Sequence, residues 1–97
     1  MDERDALERL RALSRRLSDL QTERATVWQA WHRTRYSLLD QGILQGLSAT
    51  ASRDRADAEV VELRCDLERL NGEISACEEE RDHLRFFLTH LTGREHP

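Results

Sequence analysis

From Val60 to Leu91 the chain places a seam residue at alternating intervals of three and four: Val60, Leu63, Leu67, Leu70, Ile74, Cys77, Arg81, Leu84, Leu88 and Leu91. Only Arg81 is not apolar. A repeat held over more than four heptads puts these side chains on one narrow stripe of an α-helix, which a second helix must cover. A strand is excluded, because its faces alternate every two residues. With Val60 at heptad position a and Leu63 at d, the second half is expected to form one helix from about residue 52 to about residue 92. Arg85 and His90 suit its negative C-terminal end, and Gly93 offers a left-handed cap.

The first half follows the same template with more exceptions. Leu10, Leu17, Trp31 and Leu38 at a, and Ala6, Leu13, Leu20 and Val27 at d, are apolar, whereas Glu3, Arg24, Thr34 and Gln41 are not. Asp2 can cap the start, with Glu3 and Asp5 in the first turn where carboxylates are favoured. Gly42 is the expected stop, giving a helix over about residues 3–41 and a connector over about 42–51. Two helices of similar length joined by so short a connector fold back on each other. The fold class is therefore all-α: an antiparallel coiled-coil hairpin in a single domain spanning residues 1–97.

In an antiparallel pair, facing residue numbers share a constant sum. A sum of 94 fits both stripes and sets Leu10 against Leu84, Leu17 against Cys77, Leu20 against Ile74, Val27 against Leu67, and Trp31 against Leu63; Leu70 and Leu88 complete the seam. Sums of 87 and 101 keep the same heptad phase. The flanking positions favour 94, bringing Arg35 beside Asp57, Trp28 beside Arg64, Arg16 beside Glu80 and the stem of Arg9 over Phe87. Glu23 against Glu73 disagrees. Exposed pairs of this kind select register more than they stabilise.

Composition limits the chemistry. Charged residues make up 35% of the 97, the longest apolar run is the three residues Phe86-Phe87-Leu88, and all 15 Lys-or-Arg positions are Arg. Neither a membrane span nor a signal-peptide core is expected. The bias to Arg is read as the codon usage of a GC-rich bacterial or phage genome. Cys65 and Cys77 stand about 18 Å apart on one helix, too far to pair, which fits a reducing, cytoplasmic setting.

A lone two-helix seam buries little, and chains of this size need a further partner surface. Leu7, Phe86 and Phe87 near the free end are the expected self-association surface, with two hairpins assembling into a helical bundle. The loop end carries Leu44 and Leu47 beside Arg33, Arg35, Arg53 and Arg55, an apolar knob rimmed by cations and suited to docking on another protein. Whether that knob is exposed or folded onto the seam is open from sequence.

Catalytic, metal and cofactor sites are not expected. His32, His83, His90 and His96 occupy outer or terminal positions, and no ligand spacing occurs. Arg24 and Arg81 interrupt the seam. Inward arginines on a long Leu/Arg-rich first helix are similar to those with which small helical chorismate mutases hold an anionic substrate. Such a resemblance would imply an enzyme, but that architecture needs broken later helices, and residues 60–91 read as unbroken. Asp54-Arg55-Ala56-Asp57 resembles, over four residues, the acidic tips of coiled-coil factors that probe the RNA polymerase secondary channel; the zinc-ribbon cysteines of those factors are missing.

Charge is unevenly placed. Residues 24–55 carry five arginines against Asp40 and Asp54, whereas residues 56–82 carry ten acids against three arginines. A chain of net charge −4 without lysine is a poor phosphate binder, so nucleic acid is not the expected partner. The acidic run Glu78-Glu79-Glu80 is read as a solvated face that also pairs with Arg15 and Arg16. The sequence thus points to a non-enzymatic adaptor, regulator or inhibitor that binds itself and another protein. A transcription-linked regulator acting through the basic tip is the alternative, and a small helical enzyme the second.

Overall fold

Asp2 caps the first helix: its Oδ1 accepts a hydrogen bond of 2.8 Å from the Asp5 backbone N–H, as expected. The computed structural model describes the backbone of residues 1–95 and the side chains of residues 1–91. Among the described residues it is all-helical, with α1 (Glu3–Leu44), α2 (Ala49–Glu59) and α3 (Val61–Glu95), and no strand. His96 lies outside the described residues.

The end of α1 differs from the expectation. The helix runs three residues past Gln41, and Gly46, not Gly42, stops it, with φ +81° in the left-handed region that glycine tolerates. The Leu47 N–H reaches the Gly42 carbonyl at 2.9 Å and the Gly46 N–H reaches the Ile43 carbonyl at 3.0 Å, the paired bonds of a Schellman cap. Ser48 then caps α2, its Oγ accepting from the Ala51 N–H at 3.1 Å. The connector is therefore residues 45–48, shorter than the 42–51 expected.

Gly42 has a different task. It is buried, and a Cβ placed there would stand 2.5 Å from Ser52 Oγ, 2.8 Å from Ser52 Cβ and 3.3 Å from Ser52 Cα. The absence of a side chain lets α1 and α2 approach at this point. Gly42→Ala is expected to cost about 1–3 kcal/mol through overpacking, even though Ala is the better helix former. A thermal melt at or above the wild-type Tm would show that the helices can part without loss.

The expected single second helix is interrupted at Val60, where φ −102° and ψ 13° leave the helical range. The interruption falls on two successive β-branched residues, Val60 and Val61, whose stiff side chains fit a helix less readily. Hydrogen bonds from the Val60 N–H to Ala56 and from the Arg64 N–H to Val60 carry the ladder across it. Gly93 does not cap α3, which continues to Glu95.

The residues group into two compact units, Met1–Thr22 with Gly72–Pro97 (the terminal unit) and Glu23–Asn71 (the loop unit). In the terminal unit Ala6, Leu13 and Leu84 form a buried cluster, with Leu10, Cys77, Phe87 and Leu88 packed against it. Leu17, Leu20 and Ile74 are buried there as well. In the loop unit Ser52, Ala56, Val60 and Leu70 are buried. Every seam position from Val60 to Leu91 is buried or half-buried, as the heptads require. In the first half Thr34 and Gln41, at seam positions, are exposed.

Ion pairs show that the facing helices run in opposite directions within each unit. In the loop unit Arg35 Nε meets Asp57 Oδ1 at 2.8 Å, as expected, and Arg69 meets Glu23 at 3.5 Å. In the terminal unit Arg16 reaches Glu73 at 3.1 Å instead of Glu80, and Glu80 is held by Arg9. The flanking pairs there are thus displaced by one heptad on α3 from those expected, while Ala6 and Leu10 still cluster with Leu84 and Leu88. The Glu23–Glu73 conflict disappears, since each carboxylate has an arginine. Arg9 does not lie over Phe87, nor does Arg64 pair with Trp28; Arg64 meets Glu68 within α3.

The Arg9–Glu80 pair is a two-pronged fork, Nε to Oε1 at 2.8 Å and Nη2 to Oε2 at 2.9 Å. The hydrogen bond from Arg9 holds the Glu80 carboxyl below its ordinary 4.5 and raises the Arg9 guanidinium in turn. A lowered folded-state value means that the pair contributes above the ordinary glutamate range and is lost as the pH falls through it. Glu80→Gln is accordingly expected to lower Tm slightly near neutral pH, with the difference closing in acid. A gap independent of pH would show that the fork contributes nothing through ionisation.

Candidate interaction surfaces

The Schellman turn at Gly46 fixes how the loop end is presented. Leu38 and Leu39 are half-buried, whereas Ile43 is 63% exposed and Leu44 86% exposed, with Leu47 also exposed. The question left open by the sequence is answered: the apolar group at the loop is outside the seam. Of its four arginines, Arg35 is committed to Asp57 and lies 5.8 Å over the Trp31 ring, and Arg55 donates to Gln45 Oε1 at 2.7 Å. Arg33 and Arg53 are exposed with no such partner among the described residues. The four-residue acidic tip motif loses its separate character, since Ala56 is buried and Asp57 belongs to Arg35.

The expected self-association set is divided. Phe87 already packs on the Ala6–Leu13–Leu84 cluster. Phe86 is 66% exposed, its ring edge-on to His90 at a centroid distance of 4.3 Å. Phe86, Phe87, His90 and Leu91 line a shallow recess of about 270 Å³. Leu7 lies in a different groove, of about 560 Å³, shared with Leu10, Arg11, Ser14, Arg15 and Arg85. Arg15, expected to join Arg16 against the acidic run, lines this groove instead.

One feature escaped the sequence reading. Trp28, His32 and Tyr36 form a ladder on α1, Trp28 and His32 stacked at 5.0 Å and 7°, His32 and Tyr36 edge-on at 4.8 Å. Trp28 and Tyr36 are exposed. Spacing of four between aromatic residues in a predicted helix was the available signal.

The two seam arginines are satisfied locally. Arg24 donates to Asn71 Oδ1 at 3.1 Å, and Arg81 meets Asp82 at 3.4 Å and Glu78 at 3.9 Å. Among the described residues no three His, Cys, Asp or Glu side chains are grouped to hold a metal, both cysteines are free thiols, and no helix is long and apolar enough to cross a membrane. The chain matches no protein-family model, no curated protein and no solved structure.

Proposed function

We propose that this chain is a non-enzymatic protein–protein interaction module: an antiparallel coiled-coil hairpin that associates with itself and docks on a partner protein as an adaptor, regulator or inhibitor. The observation that carries this is the apolar loop end. Ile43 and Leu44 stay in solvent although a glycine cap and the Gly42–Ser52 contact hold the turn in one conformation. Large side chains held exposed on a fixed turn suit insertion into a partner's pocket, with Arg33 and Arg53 on the rim.

Catalysis gains no support, because Arg24 and Arg81 are spent on neighbours. The alternative of phosphate binding has only two uncommitted tip arginines to draw on. A photo-crosslinker placed at position 44 in the native host is expected to trap a discrete protein that a crosslinker at position 79, on the acidic shaft, does not. Equal labelling from both positions, or retention on heparin at high salt, would oppose protein docking through the tip.

A further inference from the structure

We infer that the groove lined by Leu7, Leu10, Arg11, Ser14, Arg15 and Arg85 seats the acidic pair Glu62 and Asp66 of a second copy of this chain. The inference rests on the self-association proposed above and names the surfaces that meet. The groove is open, about 560 Å³, with an apolar floor of Leu7 and Leu10, three guanidiniums around it and no carboxylate in its lining.

Among the described residues these three arginines lack a carboxylate partner, as Arg24, Arg33, Arg53 and Arg55 also do, and they are gathered around one groove. Arg4, Arg9, Arg16, Arg35, Arg64, Arg69 and Arg81 each have a carboxylate within 4.0 Å. A guanidinium is a planar fork best satisfied by a carboxylate, and several together beside apolar surface suit an acidic helix.

The chain itself carries a matching element. Glu62 and Asp66 are exposed and unpaired among the described residues, and their spacing of four on α3 places them on one face. Arg11 and Arg15 are one turn apart on α1, as Glu62 and Asp66 are on α3, each a rise of about 6 Å. Two forks can therefore meet two carboxylates in register.

Charge exchange tests this with the intact chain. By sedimentation equilibrium, Arg11→Glu/Arg15→Glu and Glu62→Arg/Asp66→Arg are each expected to weaken self-association by roughly tenfold or more. An equimolar mixture of the two is expected to recover it, because each mutated surface then meets its complement. Arg11→Gln/Arg15→Gln, which adds no repulsion, guards against a folding defect and is expected to weaken association by a smaller factor. Association of either charge-reversed variant at wild-type strength, or a mixture as weak as its components, overturns the groove assignment and leaves self-association standing. A wild-type monomer throughout removes both.

Discussion

Leu70→Ala is expected to cost about 2–5 kcal/mol, a large share of the roughly 5–15 kcal/mol that holds a small domain folded. Leu70 sits at a d position with 0% exposure, among the most deeply enclosed large side chains. Truncation loses the transfer energy of the removed carbons and leaves a cavity that two long helices cannot close without shifting along their length. Leu44→Ala removes the same atoms from a side chain that is 86% exposed and is expected to matter within about 0.5 kcal/mol. Urea unfolding followed by circular dichroism separates the two. Comparable losses would mean that the heptad seam does not carry the stability.

Phe86→Glu is expected to produce the second largest change, in association rather than in the fold of one chain. Phe86 lies at an f position, away from the seam, and packs edge-on against His90 of its own helix. Burying such a side chain contributes about 1.5–3 kcal/mol before ordering costs, and a symmetric dimer would gain it twice. Phe87 adds little, since it is already packed on the terminal core. The interfacial gain is therefore smaller than the sequence suggested when both rings and Leu7 were assigned to one patch. A glutamate in a closed interface would be an unpaired charge, so the variant is expected to melt lower wherever the wild type is associated. Val61→Glu, at another exposed apolar site, is expected to do less.

The seam was legible because burial follows heptad phase, and a chain with one apolar stripe per helix has few ways to cover it. Register was less so. Arg35–Asp57 in the loop unit is the pair the 94 register sets side by side, yet in the terminal unit Arg9 and Arg16 reach carboxylates one heptad away from those expected, since a long guanidinium side chain spans more than one candidate. Gly42 was misread for a physical reason: a glycine near a helix end can be a cap or a point of close approach. The 94 register itself sets residue 42 opposite the small residue Ser52, which was the available clue. The interruption at Val60 was masked by the heptads that run through it, and the β-branched pair Val60-Val61 was the only local sign. Exposure of Ile43 and Leu44 depended on the Schellman turn, and the sequence places two glycines where either could have made it. Pairing among fifteen arginines and nineteen acids was the least legible of all, since many partners lie within reach of each flexible side chain.

Sedimentation equilibrium of the wild type beside Phe86→Glu tests the self-associating module most directly. A wild type of at least dimer mass, with the variant shifted toward monomer at the same concentrations, is the predicted result. A wild-type monomer indistinguishable from Phe86→Glu across that range would contradict it.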